Sequence, residues 1–310
     1  MRVVVIGAGA MGSLFAARLA PVAPVTLLSR WAEALAAIRE RGVRLLDAAG
    51  ERAYVVPITD DPAEAAPADL ALVLVKSYDT AHAAAWAAAA LSPEGLALTL
   101  QNGLGNAEVL AAAVGSPRAL QGITSEGATL LGPGRVRHAG SGVTIVGTKP
   151  ASAARVEEIV TLFRRAGFTA RSSDQVESLV WGKLVVSAGI NPLTALLGVR
   201  NGMLVEDESA RAALRLAVGE AEAVARGLGI SLPYPDAVAW AEEVCRATAD
   251  NLSSMLQDVR RGRPTEIEAI NGALVRAAEA AGLTAPVNRL LWHLVRAREG
   301  ARQAGRHEPA

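Results

Sequence analysis

The N-terminus carries the feature that most restricts the fold of this chain. Val3-Val4-Val5-Ile6 is a continuous apolar run, typical of a central parallel strand buried on both faces. It leads directly into Gly7-Ala8-Gly9-Ala10-Met11-Gly12, with the spacing G-x-G-x-x-G, and Ser13 to Ala20 predicts a helix. Such glycines allow a tight turn, and a helix start offers N–H groups and a positive dipole to an anion. The sequence therefore predicts a dinucleotide-binding βαβ unit, with a structural glycine turn as the alternative.

The end of the next predicted strand indicates which dinucleotide is bound. Val25-Thr26-Leu27-Leu28 is followed by Ser29-Arg30. An NAD(H) site would place Asp or Glu there to hold the ribose 2′-hydroxyl, whereas a hydroxyl and a guanidinium suit a 2′-phosphate. The sequence favours NADP(H) over NAD(H), although an arginine in a solvated loop would also explain Arg30.

Polar residues follow two further predicted strands. Leu70–Val75 ends at Lys76, and Leu96–Leu100 ends at Gln101-Asn102-Gly103. Ligands of open α/β sheets lie beyond the carboxyl ends of the strands, which makes Lys76 and Asn102 candidate site residues. A surface lysine and an asparagine that serves only the turn are the alternatives. Only three of the 31 Lys and Arg residues are lysines, which weakens the first alternative.

The rest of the pattern predicts two domains, which a chain of 310 residues accommodates. Glycine-separated β-like runs between residues 127 and 147 predict hairpins at a sheet edge, and the signals after Asp174 are helical. We predict the α/β class, with an NADP-binding, Rossmann-type dinucleotide-binding domain at residues 1–172. An all-helical substrate and catalytic domain is expected at residues 173–310.

Composition narrows the range of partners. A formal net charge of zero gives no basic surface for nucleic acid or an anionic membrane. The single cysteine excludes an internal disulfide, and the four histidines show no metal-ligand spacing, so no metal is predicted. We expect no signal peptide, because Met1-Arg2 leads directly into the first strand, and the longest apolar stretch, Leu184–Val199, is shorter than a membrane span. We expect a cytoplasmic protein, with a homodimer through the C-terminal helices left open.

The most apolar predicted helix carries polar residues on one face. Lys183, Ser187 and Asn191 are spaced four apart and therefore share a stripe. A lysine could extend to solvent from such a helix without any role, but three polar residues on one stripe predict an internal polar cavity. Pro192 is expected to bend or break the helix.

Two later segments add polar candidates. Residues 251–258 predict a second polar-striped helix, on which Asn251 and Ser254 are neighbours. Thr265 then opens another helix and fits a capping box with Glu268. Glu266 is not needed for that box and is free for another role, with compensation of the helix dipole as the alternative.

These motifs resemble the ketopantoate reductase (2-dehydropantoate 2-reductase) family nearly end to end. The resemblance rests on the motifs GAGAMG at 7–12, QNG at 101–103, WGKL…INPLTAL at 181–197, SSMLQD at 253–258 and TEIEAING at 265–272, together with Lys76 and Asn201-Gly202. It implies a Rossmann-type domain followed by an all-helical domain. It also implies NADPH-dependent reduction of a 2-oxo acid to a 2-hydroxy acid in pantothenate and coenzyme A synthesis.

The resemblance also implies roles for individual residues. Lys183 would be the catalytic lysine and Glu266 the acidic residue near the nicotinamide ribose. The predicted catalytic residues are Lys183 and Glu266; the predicted cofactor-binding residues are Gly7, Ala8, Gly9, Ala10, Met11, Gly12, Ser29, Arg30, Lys76, Asn102, Ala128 and Glu266; the predicted substrate-binding residues are Asn102, Lys183, Ser187, Asn191, Asn201, Asn251 and Ser254.

One position departs from the family pattern and bears on the substrate. The family has asparagine one turn after the lysine, where this chain has Ser187, a shorter side chain with a single hydroxyl. A related reductase of another 2-oxo acid is therefore the main alternative. A protein that senses NADP(H) without catalysis is disfavoured, because the proton donor and the substrate-binding groups are retained. An ammonium at Lys183 can give up a proton near neutral pH, which an arginine could not.

Overall fold

The computed structural model describes residues 1–148 and 152–305, and the contacts of the chain divide it into two compact units. The first unit comprises Met1–Gln101 and Asn106–Val176, and the second comprises Asn102–Gly105 and Glu177–Ala310. The short segment 102–105 thus belongs to the second unit, although the residues before and after it belong to the first.

The first unit contains all the strands and the first six helices of the described residues. Its strands are β1 (Val3–Ile6), β2 (Val25–Leu28), β3 (Val43–Asp47), β4 (Gly50–Tyr54), β5 (Ile58–Thr59), β6 (Ala68–Val73), β7 (Leu91–Thr99), β8 (Ala119–Thr124), β9 (Gly127–Gly132), β10 (Arg135–Gly140), β11 (Val143–Gly147) and β12 (Thr169–Ser173). Its helices are α1 (Ala10–Leu19), α2 (Ala32–Arg41), α3 (Pro62–Ala65), α4 (Thr80–Ala90), α5 (Asn106–Val114) and α6 (Ala153–Arg165).

The main sheet has the parallel arrangement predicted for a dinucleotide-binding domain. Its strand order is β12-β11-β8-β7-β6-β1-β2-β5, and every neighbouring pair from β8 to β5 is parallel. All four residues of β1 are buried, as expected for a strand covered on both faces. The carboxyl ends of β2, β1 and β6 therefore lie side by side at one edge of the sheet, where ligands of such sheets bind.

The glycine-rich hairpin lies at a sheet edge, as predicted, but the sheet is not the main one. β9 and β10 do form an antiparallel hairpin, but they belong to a separate four-stranded sheet of order β4-β3-β10-β9 rather than to the edge of the main sheet. The reason is burial, because β10 pairs in parallel with β3 and places Val136 opposite Leu45. Both side chains are fully buried in the same core as Phe15 of α1. β11 alone of this region continues the main sheet, antiparallel to β8.

The second unit is helical, and its core is built on one long helix. Its helices are α7 (Val176–Leu197), α8 (Met203–Glu206), α9 (Glu208–Gly227), α10 (Ala237–Ala247), α11 (Ser254–Arg260), α12 (Ala273–Ala280) and α13 (Pro286–Gly305), with a π-helix at Glu268–Gly272. Among the described residues, α7 is the one helix long and apolar enough to cross a membrane, so the apolar segment is longer than predicted. Of its most apolar window, 72% is buried inside the protein, which accounts for its hydropathy as a core helix.

The helix does not break at Pro192, which was one of the two predicted outcomes. α7 continues through Pro192 to Leu197. Proline has no N–H for the carbonyl four residues earlier, which is that of Ala188. The side-chain amide of Asn271 supplies the missing donor, at 2.9 Å from the Ala188 carbonyl oxygen. A residue far along the chain thus replaces the hydrogen bond that a proline inside a helix loses.

Two helix starts in the second unit also differ from the prediction. The helix expected from Asn251 begins at Ser254, because Ser253 is its N-cap and accepts the N–H of Leu256 at 3.1 Å. The capping box of Thr265 and Glu268 is absent from the described chain. The N–H of Thr265 donates to the carboxylate of Glu299 at 2.7 Å.

The side chain of Glu268 has partners other than Thr265, with which the capping box was predicted. Its carboxylate accepts from the indole N–H of Trp292 at 3.0 Å and pairs with Arg276 and Arg296. The π-helix Glu268–Gly272 therefore starts with its first side chain held by α12 and α13.

Candidate active site

The glycine turn after β1 has the shape of an anion-binding helix start. Gly7 has φ +111°, and a Cβ added to Gly12 would lie 1.7 Å from the carbonyl oxygen of Gly7, so both positions require glycine. A Cβ added to Gly9 would meet nothing within 4 Å. Gly9 is the N-cap of α1 without any side-chain cap, and the first turn holds no acidic residue. These features fit the pyrophosphate of a dinucleotide, whose charge the first-turn N–H groups would bind.

The predicted 2′-phosphate residues lie on the loops beside this turn. Ser29 is buried, and its hydroxyl accepts the N–H of Trp31 at 3.2 Å. Arg30 is exposed, and its Nη2 donates to Oδ1 of Asp79 at 3.1 Å. Lys76 follows β6 and directly precedes the short 3-10 turn Ser77–Asp79. Two basic residues therefore lie after the strands that flank β1.

Gln101 is a residue whose importance the sequence did not show. Its side-chain amide donates to the carbonyl of Val75 at 3.0 Å and to the hydroxyl of Thr80 at 2.9 Å. Thr80 in turn donates to Oδ1 of Asn106 at 2.8 Å. This network fixes the loop that carries Lys76 to the end of β7. A polar residue at a strand end was the only available signal.

Ala128, the expected backbone contact to the cofactor, lies in β9 opposite His138 of β10. His138 was given no role from sequence, but its Nε2 lies 2.6 Å from a carboxylate oxygen of Glu126, and its Nδ1 lies 3.1 Å from Nη2 of Arg18. Arg18 belongs to α1, so these contacts tie the segment before Ala128 to the helix that starts at the glycine turn.

In the second unit, three predicted site residues come together around Lys183. Lys183 lies on α7 and keeps part of its surface exposed, whereas Glu266 is buried. Burial lowers the pKa of Lys183 from 10.5 to about 8, and the attraction of the Glu266 carboxylate opposes this fall. The side-chain amide of Asn102 donates to Oε2 of Glu266 at 3.3 Å. A lysine, a carboxylate and an amide from distant parts of the sequence therefore form one group.

The position of Asn102 in this group depends on the backbone that follows it. Gly103 has φ +86°, and a Cβ there would lie 2.3 Å from the carbonyl oxygen of Ala269. The same carbonyl accepts the N–H of Leu104 at 2.9 Å. Ala269 lies in the π-helix, a widened turn that often marks functional sites. Close packing of residues 102–105 against this turn places Asn102 beside Glu266.

The other five predicted substrate-binding residues lie in two parts of the second unit. Ser187 and Asn191 are partly buried on α7. One turn beyond Asn191, the hydroxyl of Thr194 donates to that of Ser253 at 2.7 Å, which joins α7 to the start of α11, where Ser254 is exposed. The structure therefore places the start of α11 against α7 one turn beyond Asn191.

Asn201 lies in the other part together with Asn251. The N–H of Asn201 donates to the carbonyl of Asn251 at 3.1 Å, and its side-chain amide donates to the hydroxyl of Thr248 at 2.9 Å. Oδ1 of Asn201 is buried, and no residue in the described ranges donates to it. Asn251 is exposed and precedes α11, so Asn251 and Ser254 are not neighbours on one helix, contrary to the prediction.

Comparison with known proteins decides the family. The family model described as "Ketopantoate reductase PanE/ApbA" matches residues 3–151, and the model of its C-terminal region matches residues 175–299. A 2-dehydropantoate 2-reductase from Halobacterium salinarum is 42% identical over 96% of this chain and 98% of its own. This chain belongs to the ketopantoate reductase family.

Solved structures agree with that membership. A PanE/ApbA family ketopantoate reductase from Ralstonia eutropha JMP134 superposes with a TM-score of 0.89 at 34% identity, covering 98% of this chain and 100% of that one. D-mandelate dehydrogenase in a ternary structure with NADH and anilino(oxo)acetate gives a TM-score of 0.92 at 27% identity, covering 97% and 99%. As a ketopantoate reductase family member, the chain is an oxidoreductase that acts on a CH–OH group and has a nicotinamide-binding Rossmann-type domain, as predicted.

Within residues 1–148 and 152–305, no group of three or more His, Cys, Asp or Glu side chains could hold a metal ion. His307 lies outside the described residues.

Proposed function

We propose that the protein reduces 2-dehydropantoate to pantoate with NADPH, in the cytoplasm, as a step of pantothenate and coenzyme A synthesis. The observation that carries the proposal is the Lys183 ammonium, whose pKa of about 8 suits proton donation near neutral pH, in a chain whose relatives are named 2-dehydropantoate 2-reductases. The proposed partner is a small 2-oxo acid rather than nucleic acid or a membrane, in line with the zero formal net charge.

In the proposed function, the two predicted domains have different roles. Residues 1–172 would bind NADP(H) through the glycine turn, Ser29, Arg30, Lys76 and the backbone of Ala128. Residues 173–310, together with Asn102, would bind the substrate and carry the proton donor. When bound, the nicotinamide supplies the hydride that attacks the ketone carbon.

Lys183 acts on the oxygen of the ketone. Negative charge grows on this oxygen as the carbon is reduced, and a positioned ammonium stabilises the charge and then transfers its proton. The loss of hydration that lowers the pKa of Lys183 makes the proton easier to transfer, while Glu266 keeps enough of the lysine charged at neutral pH. The hydrogen bond from Asn102 holds the Glu266 carboxylate in place.

Amides and hydroxyls of the second unit hold the substrate in this proposal. Oδ1 of Asn201 is a buried acceptor that a substrate hydroxyl would satisfy, and its amide orientation is fixed by Thr248. Ser187, Asn191 and Ser254 offer further hydrogen-bonding groups near the lysine helix and the start of α11. Such groups restrict the substrate to reactive geometries, which contributes several kcal/mol to catalysis in general.

Reduction of another 2-oxo acid is the second candidate, and Ser187 is the observation that favours it. A hydroxyl in place of the family asparagine leaves more room one turn after Lys183. The fold is also shared with D-mandelate dehydrogenase, so the architecture serves more than one substrate.

The test is NADPH oxidation by the purified protein, with 2-dehydropantoate compared with 2-oxoisovalerate, pyruvate and other 2-oxo acids. A strong preference for 2-dehydropantoate supports the proposal, whereas a better rival substrate makes Ser187 the candidate for a changed site. In the same assay Lys183→Ala should lose turnover by orders of magnitude while still binding NADPH. Turnover close to that of the unmodified protein in Lys183→Ala would refute the role of the lysine.

A further inference from the structure

The ion pair between Arg30 and Asp79 involves the residue that, in the proposed function, would bind the 2′-phosphate by which the two nicotinamide dinucleotides differ. Arg30 follows β2 and Asp79 ends the turn after β6, and these two strands are the neighbours of β1 in the main sheet. The pair therefore joins the loops on the two sides of the glycine turn. Nη2 of Arg30 and Oδ1 of Asp79 are 3.1 Å apart.

Helix capping does not explain the carboxylate of Asp79. The residue is the N-cap of α4, but its side chain makes no capping hydrogen bond. By contrast, the side chain of Asp61, at the start of α3, accepts the N–H of Ala63 at 2.8 Å as an N-cap normally does. The carboxylate of Asp79 is directed to Arg30 instead of the helix.

We propose that Asp79 is a specificity-determining residue, which weakens the preference for NADP(H) over NAD(H) by competing with the 2′-phosphate for Arg30. The inference rests on the proposed function, in which Arg30 binds that phosphate. A 2′-phosphate would share the guanidinium of Arg30, whose Nη2 now donates to Asp79, and the nearby carboxylate would repel the phosphate. The 2′-hydroxyl of NADH makes no such demand, and the Asp79 carboxylate can accept its hydrogen bond.

The exposure of the pair sets the expected size of the effect. The side chains are 55% and 43% exposed, so water and salt weaken their attraction. Removing the carboxylate should tighten NADPH binding by about threefold to fivefold at physiological ionic strength. NADH binding should change less than about twofold.

The experiment measures dissociation constants of NADPH and NADH by fluorescence titration of the whole protein at constant ionic strength. Asp79→Asn is the main variant, because asparagine is isosteric and equally suited to the N-cap. Asp79→Ser is the second variant, should the first not fold. Glu94→Gln is the matched control, since it removes an exposed carboxylate from β7 at the opposite edge of the sheet and should change neither constant more than about twofold.

A double-mutant cycle with Arg30→Ala separates competition from simple repulsion. If Asp79 acts by competing for Arg30, the gain in NADPH affinity falls below about twofold when Arg30 is absent. The inference is overturned if Asp79→Asn leaves NADPH affinity unchanged, or if the full gain persists in Arg30→Ala. Equal losses of NADPH and NADH affinity in Arg30→Ala would overturn the NADP(H) preference of the proposed function as well, whereas a selective loss of NADPH affinity leaves that preference standing.

Discussion

Replacing Glu266 by glutamine should shift the pH dependence of the reaction by lowering the pKa of Lys183. The fall from 10.5 to about 8 in the native protein means that burial disfavours the ammonium by about 3 kcal/mol, after the attraction of Glu266 has been counted. Loss of a nearby opposite charge lowers the pKa of such a group by about one or more. At pH 7.5 about three-quarters of the lysine is protonated in the native protein, and about one-quarter or less is expected in Glu266→Gln.

The sign of the effect differs between the two directions of the reaction. Reduction needs the ammonium, so its turnover number should decrease as the pH rises through about 8. In Glu266→Gln this decrease should occur at a lower pH. Oxidation of the 2-hydroxy acid needs the neutral amine, so its turnover number should rise through the same range. The assay is the turnover number from pH 6 to 10 in both directions, at saturating cofactor and substrate and constant ionic strength.

A surface variant controls for the loss of one negative charge. Glu243→Gln removes an exposed carboxylate from α10, and its pH profile should match that of the unmodified protein. If the turnover number for reduction decreases at the same pH in Glu266→Gln as in the unmodified protein, the electrostatic coupling of Glu266 to Lys183 is refuted. A reduction rate that rises with pH through 8 would refute the lysine as proton donor.

Three further predictions concern the packing that supports the site. Gly103→Ala should lower turnover at least about tenfold, because its Cβ would lie 2.3 Å from a carbonyl oxygen, whereas Gly105→Ala, with φ +88° but open space, should lower turnover much less. Asn271→Leu should lower the free energy of unfolding by about 2 kcal/mol in denaturant titrations, and by less in a Pro192→Ala background, where the helix regains its own N–H donor. Hydrogen bonds from arginines, chiefly Arg211, lower the pKa of Glu242 to about 2. Its stabilising contribution is therefore present above pH 4.5 and is lost as the pH falls towards 2. In thermal unfolding, the melting temperature of Glu242→Gln should lie closest to that of the unmodified protein at the lowest pH.

Part of the candidate site was predictable from the sequence, because the patterns that indicate it involve residues close together in the chain. The apolar run of β1 and the glycines after it predict the buried strand and the helix start without reference to the rest of the chain. The WGKL…INPLTAL motif likewise places Lys183, Ser187 and Asn191 on one helix face, since helical spacing alone sets that relation. These relations span one or two turns, within the reach of sequence periodicity.

Other features depend on contacts between residues far apart in the chain, which periodicity does not report. Pro192 should end a helix on local grounds, yet α7 continues because Asn271 supplies the missing donor. The β9–β10 hairpin is recognisable locally, but its pairing with β3 follows from burial against α1.

The sequence by itself determined the Rossmann-type βαβ unit, the family and the identity of the polar residues, because each depends on short-range pattern or motif. Tertiary structure alone decided that Asn102 lies beside Glu266 and that Arg30 is held by Asp79. It also decided that burial lowers the pKa of Lys183 to about 8. The physical reason is that hydration and charge at a side chain are set by the neighbours that folding brings to it, and these neighbours come from segments about 50 to 160 residues away.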